Sequence, residues 1–452
     1  MRNYGLMCTV SAAAMCLAAS PVLAQGTAAK TGPEELAAMH SELARLASRV
    51  DELEQDLAQA QTDTASAPQS ASPAVPAKPD VKISWKGAPE IKGKGGWKFK
   101  PFGRLQYDAG FTNVPSGTGR ADGFGNELRR ARLGVKGTMP GGFGYKFEVD
   151  FAGNSAEITD AIINYKDGPL TLTVGQHNNF QSLEELNSSR FTTMIERAAF
   201  TDAFGFERRV GASVQYSGKD FLLQGGVFTD NLGDLSNKDW SIDGRAVYTP
   251  KLGETQLHLG GSVHYASLND AGSSVRYRQR PLVHFTSTRF INTGNIAADS
   301  EFGFGAEAAV ISGPFHATAE GYWQEVRSPM MANDPGFFGG YGEVGYFLTS
   351  GDKRGYKGGK FGRVKPANPV GKGGIGAVEV NLRYDHLDLN SGPIVGGTQN
   401  GYLFSLIWTP TAYTRLMMNY GRLEYSNAAY QVAPGDTSYG VNSFGVRAQV
   451  DF

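Results

Sequence analysis

The feature that most constrains this chain is an alternation of apolar and polar residues with a period of two. It returns from about Trp97 to the last residue. In the closing segment Phe444, Val446, Ala448, Val450 and Phe452 fall on one side, and Gly445, Arg447, Gln449 and Asp451 on the other. Earlier, Tyr145, Phe147, Val149 and Phe151 oppose Lys146, Glu148 and Asp150, and Leu257, Leu259, Val263 and Tyr265 share one face. Successive side chains of a strand point to opposite faces, so each segment predicts a strand with one greasy and one wet side. Roughly sixteen such segments follow one another. At about nine to eleven residues each, they are long enough to cross a bilayer at a tilt.

The period does not say which face is wet, because a soluble sandwich alternates in the same way. Three features favour a membrane barrel. Tyr, Phe and Trp cluster near segment ends, as interfacial girdles require. Short connections, such as Met139-Pro140-Gly141-Gly142 and Asp167-Gly168, alternate with long ones. The final aromatic, Phe452, resembles the end of a terminal recognition strand. The 59 glycines among 452 residues, with 26 Phe and 19 Tyr, suit strands and turns better than helices. The predicted fold is therefore all-β: a transmembrane antiparallel β-barrel of about 16 strands, preceded by a short N-terminal α-helical coiled coil. A formal net charge of −1 provides no field for nucleic acid.

The N-terminal region divides by composition. Residues 1–24 have the charge, apolar run and small-residue cleavage site of an export signal, and they hold both cysteines, Cys8 and Cys16. In residues 33–62, Leu36, Leu43, Val50 and Leu57 repeat every seven residues, with Met39, Leu46, Leu53 and Ala60 three later, which predicts a short coiled coil. Residues 63–96 are read as a Pro/Ala/Ser-rich linker, and 97–452 as the barrel.

Charges on the strand faces mark candidate contacts for a passing ion. Arg130, Arg132 and Lys136 share the parity that faces the lumen, whereas Arg129 has the outward parity and is expected near lipid phosphates. Arg209 has the lumen parity of its strand, with Arg208 at the loop junction. Ordinary solvated strand charges are the alternative for this set. The connection from about Asn178 to Glu207, between the fifth and sixth segments, is long enough to be functional and is read as a constriction loop that narrows the barrel. Its Glu184, Glu185, Arg190, Glu196 and Arg197 have mixed signs, as expected of pairs that pin a loop to the wall. Arg276, Arg278 and Arg280 alternate along an extended segment, and Arg289 follows. They are either rungs inside the lumen or a mouth surface for lipopolysaccharide phosphates. Seven basic residues crowd the connection around 350–372, which either hides a strand or folds inward. No nucleophile elbow or phosphate-cradling loop is present, and the spacing of His258 and His264 suits no metal motif, so neither an enzyme nor a cofactor is expected.

Several stretches together resemble the phosphate-selective porin family (porins O and P): Glu127–Gly137, Val174–Phe200, Arg208–Gly218, Arg276–Gly294 and Gly342–Pro366. The resemblance runs from about residue 99 to 452. It departs at Phe347–Asp352, where a Thr-Gly-Glu run is expected. It implies a trimeric sixteen-stranded porin of the outer membrane, in contact with lipid and lipopolysaccharide, whose inward-folded loops line a passive path for small anions such as phosphate or polyphosphate. It also favours lumen rungs for the arginine row and inward folding of the 350–372 connection. A general or differently selective diffusion porin, and a structural or adhesive outer-membrane protein, stay open as alternatives.

Overall fold

The computed structural model describes residues 81–452, apart from 236, 237, 270 and 271, together with scattered residues between 41 and 55. The alternating segments become sixteen antiparallel wall strands. The first eight are β1 (Lys98–Asn113), β2 (Gly123–Thr138), β3 (Phe143–Asp150), β4 (Glu157–Asp167), β5 (Leu170–Asn178), β6 (Arg208–Ser217), β7 (Phe221–Phe228) and β8 (Trp240–Tyr248). The second eight are β9 (Thr255–Ser267), β10 (Ser300–Ser312), β11 (Phe315–Arg327), β12 (Gly336–Phe347), β13 (Ala377–Ser391), β14 (Ile394–Thr411), β15 (Thr414–Ser426) and β16 (Tyr439–Asp451). Each pairs with its neighbour, and β16 returns to β1 with Arg447 opposite Asp108 and Asp451 opposite Arg104, so the wall is closed. Closure removes the unpaired strand edges that a membrane could not satisfy.

Side-chain direction follows the alternation. Leu105, Val174 and Leu259 stand on the outside with about half or more of their surface exposed, while Gln106, Asp243, Asn381 and Arg447 face inward and are at most 1% exposed. The molecule is thus greasy outside and charged inside. Strand lengths run from 8 residues in β3 to 18 in β14, a wider spread than nine to eleven.

Long connections leave one rim, after β1, β3, β5, β7, β9, β11 and β15; the turns at the other rim are short, with one exception between β12 and β13. Two long connections, 179–207 and 268–299, fold back inside the barrel. Phe200, Phe204 and Phe206 from the first and Tyr277, Phe290 and Ile291 from the second pack against Tyr322, Leu387, Tyr425 and Val441 on β11, β13, β15 and β16. This cluster is the apolar core, and it sits against one side of the lumen.

The segment read as linker, 63–96, is corrected at its end. Val81–Trp85 and Pro89–Gly93 form an antiparallel hairpin that pairs onto β1 through Ile91 and Phe99, so the sheet begins at 81 and not at 97. Val81, Ile83 and Trp85 alternate, and Gly87, at φ 81°, makes the turn; the Pro/Ala/Ser bias of the preceding residues masked both signals. Residues 63–80 and the expected export signal, 1–24, lie outside the described residues. The described residues between 41 and 55 are helical, and the rest of the expected coiled coil, 33–62, lies outside them.

Candidate permeation site

The connection 179–207 is held to the wall by charge. Its first turn is a one-turn helix, Leu183–Leu186, capped by Ser182, whose hydroxyl accepts from the Glu185 backbone N–H. Glu320 on β11 accepts hydrogen bonds from the Ser182 hydroxyl (2.9 Å), the backbone N–H groups of Leu183 (2.9 Å) and Glu184 (2.8 Å), and the Tyr341 hydroxyl (2.8 Å). Arg383 on β13 donates to Glu184 at 3.0 Å and to Glu343 at 2.9 Å. Asp385 accepts from the Ala199 backbone, and Arg415 on β15 donates to the Thr192 carbonyl at 2.6 Å. Glu196 takes a bidentate pair from Arg129 (2.8 and 3.0 Å) and a third bond from Arg447 (3.1 Å). Burial alone would raise its carboxyl; the two guanidiniums hold it well below the usual carboxylate range. Arg190 faces Asp451 at 3.6 Å. Glu184, Glu196 and Arg190 thus meet the wall, whereas Arg197 turns back to the carbonyls of Glu184 and Asn187 (3.0 and 2.8 Å) and lies 3.4 Å from Glu185.

Apart from Arg129 on β2, these anchors draw the connection toward β11–β16 and leave the β2–β7 side open. Two cavities lie there. The first, about 770 Å³, opens toward the long-loop rim, and the second, about 400 Å³, lies deeper. Arg130, Arg132, Glu185, Arg197 and Arg208 line both, so an ion passing from one to the other moves between them. The cavities differ in sign. Six arginines and six carboxylates line the first. Eight basic side chains line the second, against only Asp160 and Glu185. Asp160 is already shared by Lys146 (2.7 Å) and Arg208 (3.4 Å), and Arg132 pairs with Asp150 at 2.6 Å. Arg130 has no carboxylate partner among the described residues; one hydrogen bond to Gln106 (3.1 Å) aims it. The second cavity therefore carries a surplus of positive charge and several unused guanidinium donors, the groups that replace the hydration shell of an oxyanion.

Arg130 and Arg132 line the lumen as their parity predicts, and Lys136 faces it too, over the Phe102 ring at 5.0 Å. Arg129 departs from its expected outward place. A bulge opposite Gln106 and Tyr107 gives β2 an extra residue, and the shift turns Arg129 inward to Glu196. Arg209 is paired with Asp230 at 3.1 Å and lines neither cavity, while its neighbour Arg208 lines both. The arginine row also divides: Arg276 and Arg278 are exposed and line neither cavity, and Arg280 reaches the first cavity, 3.3 Å from Asp202. Arg289 stands near Arg280 and Arg278, and burial together with their charge lowers its guanidinium to about 10.

The connection around 350–372 enters the lumen from the opposite rim. Arg354 donates to the Phe191 carbonyl at 2.5 Å, the Phe361 N–H donates to Asn187 at 2.9 Å, and Lys360 lines the deeper cavity. Arg245 on β8 holds it by the Gly359 carbonyl at 3.0 Å. At its base Asp352 accepts from Thr349 and from the Ala367 backbone, both at 2.6 Å, so the departure from Thr-Gly-Glu still closes the loop. Sequence reasoning did not single out Arg383, Glu320, Asp385, Arg447 or Arg245. Each sits at an ordinary polar position of an alternating strand, and only the packed connections distinguish it.

A closed, charged-inside barrel narrowed by its own connections defines the class: this is a porin-type outer-membrane channel. The chain belongs to the phosphate-selective porin O and P family, which it matches over residues 99–452. It is similar to an uncharacterized protein of Caulobacter vibrioides, 43% identical across 98% of this chain and 94% of that one. Its fold is like that of a loop L8 deletion mutant of OmpT, an outer membrane protein of Vibrio cholerae (11% identical, TM-score 0.51, 79% of this chain and 100% of that one). It is also like the anion-selective porin from Comamonas acidovorans (12% identical, TM-score 0.50, 79% and 100%). At such identities the last two likenesses concern the fold alone.

Proposed function

We propose that this porin passes small anions by passive diffusion, with phosphate and polyphosphate as the preferred class. The observation that carries this reading is the deeper cavity, where eight basic side chains meet two carboxylates at the narrowing of the lumen. A passing anion exchanges water for guanidinium and ammonium donors there. Arg130, Arg132, Arg197, Arg208 and Lys360 make the path, Arg280 and Arg289 draw anions to the mouth, and Lys136 lies toward the far rim. Sharing the charge over many partly neutralised groups keeps each site weak enough to release. The family to which the chain belongs supports the phosphate class, and the excess of cations over carboxylates lining the deeper cavity supports the sign.

The proposal extends to assembly. Residues 1–24 direct export and are removed, the helical prefix pairs with copies of itself on the periplasmic side, and three barrels associate within outer-membrane lipid and lipopolysaccharide. A second reading, a general diffusion porin, is favoured by the first cavity, whose charges balance. Reversal potential in a planar bilayer under a potassium chloride gradient separates the two. The proposed function requires a clear anion preference and a chloride current blocked by millimolar phosphate; an unselective, unblocked current supports the second reading.

A further inference from the structure

The hairpin before the barrel continues both faces of the wall. In register, Phe99 on β1 stands beside Ile91, and Ile91 beside Ile83. The lipid side of β1 therefore runs on without a break into Val81, Ile83 and Trp85. Among the described residues nothing covers these side chains: Ile83 is 59% and Trp85 75% exposed, and Trp97 follows at 54%. Lys82, Lys92 and Lys98 alternate on the other face. Residues 81–100 hold six lysines and a single carboxylate, Glu90, which is clasped by Lys98, Lys92 and Lys86 at 3.0, 3.2 and 3.5 Å.

The hairpin is also fixed in place. At its turn, a Cβ on Gly87 would lie 2.6 Å from the Tyr413 ring and 3.0 Å from the Phe452 Cα, so the turn lies directly on the end of β16 and the β14–β15 turn. The Lys100 ammonium donates to the Lys86 carbonyl at 2.8 Å. A rigid, lysine-rich strand pair with Trp and Ile on one face, at the rim and continuous with a lipid-facing wall, has the composition of an interfacial anchor.

We propose that the 81–99 hairpin is a lipid-binding element: Ile83, Trp85 and Trp97 enter the interfacial zone of the leaflet at this rim, and the lysines, on its water-facing side, attract the anionic phosphate headgroups around it. This rests on the barrel's crossing a bilayer. A leaflet fits better than a protein partner, because the exposed face lies in register with the hydrocarbon-facing side of β1 and the surplus charge matches anionic headgroups.

The test uses nitroxide labels in vesicles of phosphatidylethanolamine and phosphatidylglycerol. With Cys8 and Cys16 changed to Ala, single cysteines are placed by Ile83→Cys, Trp85→Cys, Lys82→Cys and, as a mid-wall reference, Val174→Cys. The proposal expects oxygen collisions to exceed nickel-chelate collisions at 83, 85 and 174 and the reverse at 82, with the contrast at 83 and 85 reduced in vesicles lacking phosphatidylglycerol. Nickel-dominated collisions at 83 and 85, with 174 still oxygen-dominated, overturn it. Exclusion of both reagents at 83 and 85 also overturns it and indicates a second polypeptide on this face. Nickel-dominated collisions at 174 overturn the membrane reading as well.

Discussion

The two sides of the lumen use the same residue types to opposite ends. Along β11–β16, Arg383 and Arg447 lie within 3 Å of carboxylates, and the space between wall and connection is filled by an apolar core. Along β2–β7, where Arg129 and Arg132 are also paired, Arg130 has no carboxylate among the described residues and Arg208 holds Asp160 only at 3.4 Å, beside open cavities. A buried, fully paired guanidinium fixes geometry but has little left to give an ion. A partly paired guanidinium in a wet cavity has donors to spare and costs less to keep charged. One side therefore positions the constriction and the other conducts.

The largest effect belongs to the sealed side. Arg383→Ala leaves Glu184 and Glu343 without their shared cation. Breaking a buried pair by removing one partner costs about 3–5 kcal/mol. A lowered urea midpoint in detergent, with noisy and enlarged single-channel current, is expected, because the connection is freed. An unchanged midpoint would show that the apolar core alone holds it.

Next is the open side. Arg130→Ala with Arg208→Ala should lower the anion-to-cation permeability ratio roughly thirtyfold, taking about 1 kcal/mol for each of the two unit charges near an ion in water-like surroundings. The urea midpoint should not move. If stability falls instead, the two sides are not distinct in kind.

A smaller effect separates members of the arginine row. Arg280→Ala should reduce anion preference modestly, since a partly exposed charge contributes about 1 kcal/mol or less, while Arg278→Ala, exposed and outside both cavities, should leave it unchanged. Equal effects would place both in the path. The smallest effect is a titration. Burial and the nearby Arg245 and Lys146 push the Lys360 ammonium down to about 8. A cation with a lowered pKa loses its charge as pH rises through that value, so anion preference should decline between pH 7 and 9. Lys360→Arg should flatten that slope, as read from reversal potentials across the range.

The wall was legible because hydrocarbon and water impose a strict period of two, and the connection from 178 to 207 was legible from its length alone. The division between sides was not. Arg383 and Arg132 look alike in sequence: both are cations at lumen-facing positions of alternating strands. Which one is spent on an anchor depends on where a distant connection lands. Arg129 escaped because one bulge residue reverses parity. Arg208 and Arg209 were exchanged because parity is weakest at a strand's first residue, where the incoming chain sets direction.

The most direct test places a cysteine on each side of the lumen at similar strand positions and treats open channels with an anionic methanethiosulfonate. Thr173→Cys on β5 lines the deeper cavity, and Ser405→Cys on β14 lies fully buried behind the connection. The structure predicts rapid loss of current at 173, slowed by phosphate, and none at 405. Reaction at 405 with protection at 173 would mean that ions travel along the side assigned here as sealed.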